Sequence, residues 1–260
     1  MLLTPQPSLV EQAYEAILGE IADGTLAAGT HLVQEVLAAR YGVSRQPIQQ
    51  ALLLLRNDGL VQDAGRRGLI VAPLDVRMMQ DRYQVRAALD ALAARLAAER
   101  CAASAEVAAQ TRDQGARIID AGLGAVAKGV IKSMIAQDIA FHGFLYAASG
   151  NAMIGPSAEV HWRFLRRVMG EVLRRSEPPP SIWQQHAAIL EAVVAGHAIE
   201  AETRTVRHIS SAAARLAGAA EGDGPETNTL PAPALPSPDL PQTDRRRRAR
   251  PTPTPTTTRR

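Results

Sequence analysis

From residue 76 to about 217 the sequence reads as helix throughout, with breaks that include Gly129, Gly150-Asn151, Pro178-Pro179-Pro180 and Gly196-His197. Six segments are expected, near 76–101, 104–127, 131–149, 153–175, 181–196 and 199–217. Alanine and leucine dominate them, and aromatic residues make up 3% of the chain. That composition favours packed helices over sandwiches or barrels. The fold expected is therefore mainly α, with an all-α six-helix bundle as its larger part.

The first 75 residues have a different rhythm. A helix is expected from about Ser8 to Asp23, with Leu9, Ala13, Ile17, Leu18 and Ile21 on one face and Asp23-Gly24 as its stop. A second runs from about Gln34 to Arg40. Tyr41-Gly42-Val43-Ser44 is a tight turn, and Ser44 can cap a third helix from Arg45 to about Asn57. Two short strands follow, Leu60-Val61-Gln62 and Leu69-Ile70-Val71-Ala72, joined by a hairpin with Arg66 and Arg67 at its tip. Three helices and a two-stranded wing make a winged helix-turn-helix, expected over 8–73. Pro73-Leu74-Asp75 links it to the bundle at 76–218, with Asp75 able to cap the next helix. Beyond residue 218 the chain turns to Pro, Thr, Asp and Arg and holds nine of the seventeen prolines. With so little to bury, residues 219–260 are expected to be disordered.

Charge and cysteine content narrow the setting. Residues 1–75 carry five arginines against eight acids, so the net charge of +3 says nothing by itself about nucleic acid. A lone cysteine, Cys101, excludes an intramolecular disulfide framework and a thiolate-only metal site, and it fits a reducing cytoplasm. There is no apolar run of membrane-spanning length and no signal-peptide pattern at the first residues. A cytoplasmic protein with no membrane partner is expected.

Four residues of the second half are spaced as one metal site requires. Asp138 and His142 stand at i and i+4, on one face of a helix. His186 and His208 each lie eleven residues from His197, at the turn between two later helices. In an antiparallel hairpin they share a height, about 16 Å from that turn. Three imidazoles and a carboxylate suit Zn²⁺, Ni²⁺, Fe²⁺ or Mn²⁺, and they leave positions free for water or an effector carboxylate. A single histidine on an apolar helix is more often a core or interface residue, which is the reading of His161 and His197.

Residues 25–72 resemble the GntR family of bacterial regulators through Gly29-Thr30-His31-Leu32, Leu37-Ala38-Ala39-Arg40-Tyr41-Gly42-Val43-Ser44-Arg45-Gln46-Pro47-Ile48, Asp58-Gly59-Leu60-Val61 and Arg67-Gly68. The C-terminal half resembles that family's FCD ligand-binding domain, through Arg86-Ala87-Ala88-Leu89-Asp90, Asp138-Ile139-Ala140-Phe141-His142, Ser149-Gly150-Asn151 and His186-Ala187-Ala188-Ile189-Leu190-Glu191. Six helices rather than seven fit the shorter, vanillate-regulator-like subgroup. The resemblance implies operator DNA, a homodimer and a small organic acid effector as partners. It also implies that Arg86 faces the pocket and clamps the acid. One departure stands out: Gln49 and Gln50 occupy positions where members commonly carry arginine and glutamate, so a different base preference is expected.

Placement on the motif makes Ser44, Arg45, Gln46, Gln49 and Gln50 the expected DNA-facing residues of the recognition helix. Arg66 and Arg67 reach out from the wing, and Arg40 is a weaker phosphate contact. With an acidic balance, one such domain binds DNA weakly, and two on adjacent half-sites combine their affinities. One of Arg163, Arg166 and Arg167, with Arg163 the first choice, is expected to face the effector cavity beside Arg86. The others are expected to be solvated. Arg86 and Asp90, at i and i+4, would pair for only a few tenths of a kcal/mol if they lay at the surface. The reading is a metal-containing, acid-responsive transcriptional regulator. A regulator that senses the metal itself is the nearer rival. A metal-dependent hydrolase or oxygenase is the distant one, for it lacks an evident general base and has no need of a winged helix.

Overall fold

The computed structural model describes residues 7–65, 68–174 and 181–221, with side chains to 218. Arg66, Arg67 and the tail from 222 onward lie outside the described residues, as do the expectations placed on them. Within the described residues nine helices and one two-stranded sheet follow the chain in the order the sequence suggests.

Helix α1 (Leu9–Ala22) opens with a capping box: the Ser8 hydroxyl accepts from Glu11 N, and the Glu11 carboxylate accepts from Ser8 N at 2.7 Å. Its buried face is Ala13, Tyr14, Ile17, Leu18 and Ile21. Leu9, placed on that face by periodicity, is exposed, because none of the first-turn residues 9–12 is buried. Helix α2 (Gln34–Tyr41) ends at Gly42, whose φ of 66° is the left-handed conformation that lets the chain reverse into α3 (Arg45–Asn57). Strands β1 (Val61–Asp63) and β2 (Leu69–Val71) pair antiparallel, Val61 opposite Val71 and Asp63 opposite Leu69. Val71 of β2 is fully enclosed, as are Ile48, Leu52, Leu55 and Leu60.

Asp75 caps the long helix α4 (Val76–Ala103), its carboxylate accepting from Met78 N at 2.9 Å. Then follow α5 (Ala105–Ala127), α6 (Ile131–Ala148), α7 (Ile154–Leu173), α8 (Ser181–Val194) and α9 (Ala198–Glu221). Helix α4 is the axis and touches every other bundle helix. Its alanines explain how: Ala93, Ala94, Ala97 and Ala98 are wholly buried, and so short a side chain lets neighbours approach on several faces. Ala94, Ala97 and Ala98 pack against Phe141 and Leu145 of α6 and Ile189 and Val193 of α8. Helix α5 uses glycine for the same purpose, with Gly115 under Leu190 and Gly122 under Trp183.

The winged helix and the bundle share one continuous apolar core. Ile17, Leu18, Ile48 and Leu52 belong to the same cluster as Met79 and Tyr83 of α4 and Phe164, Leu165 and Val168 of α7. Around this seam lies a set of arginines, two of which, Arg166 and Arg167, were expected elsewhere. Arg166 pairs with Glu15 of α1 at 2.9 Å. Arg167 is buried and donates to the Ala72 carbonyl; Arg174 donates to the Ala22 carbonyl. Arg82 of α4 donates to the Asp58 carbonyl at 2.9 Å and to Val160 O at 2.8 Å. The expectation of solvated arginines at 166 and 167 is therefore corrected, because both hold the winged helix. Gly170 makes the contact possible, since a Cβ there would lie 2.2 Å from the Ala22 carbonyl oxygen.

The glycines of α5 give a paired test of this packing. A Cβ on Gly122 would meet the Trp183 ring at 2.0 Å, whereas one on Gly124 would meet nothing within 4 Å. Gly122→Ala should destabilise by about 1–3 kcal/mol through overpacking. Gly124→Ala should be neutral or stabilising by up to about 1 kcal/mol, since it removes a helix-interior glycine. Thermal melts of the two variants against the parent check both signs.

Candidate metal centre

Helix α6 presents Asp138 and His142 inward, one turn apart; α8 supplies His186 and α9 supplies His208. One ligand atom from each of the four lies within 4.8 Å of all the others. The equal distance of the two histidines from the turn brings them together: His186 Nε2 and His208 Nε2 face each other at 3.1 Å across the α8–α9 pair. His186 Nε2 is also 3.5 Å from Asp138 Oδ1. The three imidazoles are buried, and Asp138 is the least enclosed of the four.

A metal ion fits this donor set on an observation independent of spacing. Both ring nitrogens of His142 and Nδ1 of His186 are buried without a hydrogen-bond partner. Such orphaned polar atoms are costly unless something meets them. Burial pushes the His142, His186 and His208 pKa values well below the usual imidazole value, with the Arg86 charge working the same way. The rings are therefore neutral and their lone pairs available. Burial raises the Asp138 carboxyl to about 6.

The surrounding groups orient the donors. His208 Nδ1 faces Gln185 Oε1 at 2.8 Å; as donor there it leaves Nε2 as the lone-pair nitrogen turned to the cluster. Phe141 stacks on His186 with ring centroids 4.2 Å apart, and Trp183 meets the same ring edge-on. His142 Nδ1 lies 3.2 Å from Asp90 Oδ2, though not in hydrogen-bonding orientation. Asp90 in turn accepts from Arg86 Nε at 3.1 Å and from the Tyr146 hydroxyl, which accepts from Trp162 Nε1 at 3.1 Å. The Arg86 guanidinium sits 3.6 Å over the Trp162 ring. The Arg86–Asp90 pair is fully buried rather than superficial, so removing one partner would leave an uncompensated charge. Gln185, Tyr146 and Trp162 escaped sequence reasoning. Only the i+4 spacing of Tyr146 from His142 and the adjacency of Gln185 to His186 could have signalled two of them.

Arg163 is placed elsewhere. It pairs with Glu159 at 2.6 Å, approaches Asp58 at 3.7 Å and lies over the Tyr14 ring, at the seam with the winged helix. Of the two residues expected to hold an effector, Arg86 alone stands among the metal-site groups. His161 is half-buried and His197 is exposed, 3.3 Å from Glu200. Asn151 turns the chain, its side chain accepting from Met153 N at 3.0 Å.

On the winged helix, Ser44, Arg45, Gln46, Gln49 and Gln50 are exposed together at the start of α3, while Pro47 and Ile48 are buried. Ser44 occupies the N-cap position in extended conformation, but its hydroxyl makes no capping bond and stays available. Arg45 pairs with Glu35 at 3.0 Å and Arg40 with Glu20 at 2.9 Å. Exposed pairs of this kind contribute about 0–1 kcal/mol and exchange readily.

With this geometry in view, comparison with known proteins is specific. The model of bacterial regulatory proteins of the gntR family matches residues 9–71, and the FCD domain model matches residues 81–211. The HTH-type transcriptional regulator BphR of Paraburkholderia xenovorans is 39% identical over 88 residues, 34% of this chain and 36% of that one. The chain thus spans about a third of that relative's length. An HTH-type transcriptional regulator of the TAR-I ttuE-ttuC' intergenic region of Agrobacterium vitis is 31% identical over 141 residues, covering 54% of this chain and 80% of that one. The solved structure of E. coli McbR/YncC superposes with a TM-score of 0.67 at 19% identity, over 81% of this chain and 98% of that one, and shows the shared fold. The chain belongs to the GntR family of bacterial transcriptional regulators, with a DNA-binding GntR domain followed by an FCD domain. No helix of the described residues is long and apolar enough to cross a membrane.

Purified protein should carry about one divalent ion per chain by elemental analysis. His186→Ala with His208→Ala should remove it and lower the melting temperature, and unchanged metal content in that variant would place the ion elsewhere. The metal-free protein should also lose stability as pH falls. Below about 6.5 the unfolded chain protonates its histidines while the buried rings resist, so stability drops by up to about 1.4 kcal/mol per pH unit for each. Asp138 opposes this below about 6, where its raised carboxyl takes a proton in the fold first. Three groups outweigh one, so melts of chelator-treated protein should fall between pH 7 and pH 5, and His142→Asn should lessen the fall.

Proposed function

We propose that this regulator binds operator DNA as a homodimer and that a small carboxylate, bound beside a divalent metal held by Asp138, His142, His186 and His208, changes its operator affinity. The observation that carries this reading is the unspent capacity of Arg86. One guanidinium edge is fixed by Asp90 and one face by Trp162, but a terminal nitrogen is buried without a partner. Arg86 Nε is 3.1 Å from the Asp90 Oδ2 that lies 3.2 Å from His142 Nδ1, so the side chain borders the cluster. A carboxylate meets that terminal nitrogen through a charge-assisted hydrogen bond. When bound, the divalent ion supplies Lewis-acidic coordination for an anionic oxygen.

Transmission to DNA follows from where the neighbouring residues lead. Arg82 stands one turn before Arg86 on α4 and grips the Asp58 carbonyl at the end of the recognition helix. Arg163, next to Trp162 on α7, faces the Asp58 carboxylate, which also accepts from Tyr14 at 2.5 Å. An acid that reorients Arg86 and Trp162 moves the two helices that hold α3, and a difference in its affinity for two head arrangements then becomes a difference in operator affinity. Residues 8–73 act as the DNA-binding head and 76–218 as the effector-binding and dimerisation body. Ser44, Arg45, Gln46, Gln49 and Gln50 form the surface that meets the major groove, with Arg40 and the wing residues Arg66 and Arg67 on phosphate.

Calorimetry of the metal-loaded protein with small organic acids tests the site. Arg86→Ala should weaken effector binding by roughly ten- to a hundredfold, the worth of a charge-assisted contact of about 1.5–3 kcal/mol. Because it strands Asp90, the double change Arg86→Leu with Asp90→Asn serves as the folded control, and both variants should keep their metal. Metal binding that alone shifts operator affinity, with no acid bound, would instead make this a metal sensor. Separately, Gln49→Arg should alter the operator selected from random DNA or steepen its salt dependence, since a neutral amide becomes a cationic fork. An unchanged motif and salt slope would take Gln49 off the DNA.

A further inference from the structure

A cavity of about 470 Å³ lies between α1 of the winged helix and helices α6 and α7 of the bundle. None of the four metal-site residues lines it, nor does Arg86. Its walls are Gly19 and Ala22 of α1, Ile135, Ala136 and Ile139 of α6, and Trp162 of α7. We propose that this cavity is a second small-molecule site, that it takes an apolar aromatic compound bearing one anionic group, and that its occupancy biases the placement of the winged helix.

Size and lining give the class. The volume falls within the range of about 300–1,000 Å³ typical of small-molecule pockets, and such pockets are mainly apolar with a few fixed polar groups. Here the flat indole of Trp162 and the isoleucines of α6 suit a ring system. The charges at the rim are mostly spent on each other: Glu15 pairs with Arg166 at 2.9 Å, and Glu159 pairs with Arg163 at 2.6 Å. Arg174 donates to the Ala22 carbonyl, and Asp23 accepts from Thr25 N at 2.9 Å. Lys132, exposed on α6, has no acidic partner among the described residues, and with Lys132, Arg163, Arg166 and Arg174 against Glu15, Asp23 and Glu159 the lining carries a net positive charge.

Position gives the consequence. Trp162 is a shared wall, turning one side to this cavity while Arg86 and His142 pack against it from the metal centre. Arg163 and Arg166 line the cavity and also hold Asp58 and Glu15 of the winged helix. A molecule seated here touches both sides of the seam. It binds more tightly to one relative placement than to another, and linkage returns that preference to the operator. The site is independent of the acid-and-metal reading above, and its test keeps the two apart.

The probes are anilinonaphthalene sulfonate and phenylnaphthylamine, the same ring system without the sulfonate, titrated into full-length metal-loaded protein. One saturable sulfonate site per chain is expected, with energy transfer from tryptophan. Gly19→Phe fills the space from α1, where a new Cβ meets nothing within 4 Å, and Ala136→Phe fills it from an exposed position on α6. Each should weaken both probes at least tenfold. Should Gly19→Phe fail to fold by circular dichroism, Ala136→Phe carries the decision. Lys132→Ala should weaken the sulfonate at least threefold and leave phenylnaphthylamine unchanged. His186→Ala with His208→Ala should keep sulfonate affinity within twofold, and saturating sulfonate should shift operator affinity at least threefold. Probe binding that survives Ala136→Phe, that disappears with the metal ligands, that ignores Lys132, or that leaves operator affinity untouched would overturn the proposal.

Discussion

A buried ion pair organises the middle of this molecule. Arg86 and Asp90 stand one turn apart on α4, both cut off from water, and a charge pair in that position is costly wherever its remaining hydrogen-bonding capacity goes unmet. Asp90 meets its share through Tyr146, which holds Trp162, while the Arg86 guanidinium lies flat on that indole. Four residues from α4, α6 and α7 are thereby tied together, and His142 lies against the same carboxylate. The donor cluster takes its shape from this frame. His186 and His208 approach from the α8–α9 side onto a surface already determined.

Much of this was legible in the sequence, and the reasons are physical. Helix existence followed from apolar periodicity and from glycine and proline punctuation, and the nine helices of the described residues fall close to the expected spans. The pairing of His186 with His208 was legible because antiparallel hairpins preserve distance from the turn, so a count of residues becomes a statement about height. Asp138 and His142 needed only the helical period.

What stayed hidden depends on long-range contact. Arg166, Arg167 and Arg174 are ordinary basic residues in the sequence, and nothing local distinguishes an arginine bound to a distant carbonyl from one in water. Arg163 was expected beside Arg86, but it stands next to Trp162 on a helix whose successive residues diverge by about a hundred degrees, and it turns to Tyr14 and Asp58 instead. The burial of the Arg86–Asp90 pair was likewise invisible, since the same i, i+4 spacing serves on a surface. Leu9 shows the converse, an apolar residue in correct phase on a turn where no residue is buried.

The arginines at the seam have a consequence for how such regulators diversify. Arg82, Arg167 and Arg174 hold the winged helix through the carbonyl oxygens of Asp58, Ala72 and Ala22, atoms that every residue type supplies. The body therefore grips the head by its backbone as well as through the shared apolar core and the Arg166–Glu15 pair. The outward face of the recognition helix can then change its residues freely, as at Gln49 and Gln50, without loosening the mount. A chimera that exchanges heads between relatives of this architecture should keep its mechanical connection as long as the backbone path through these three carbonyls and the apolar residues of the seam are kept.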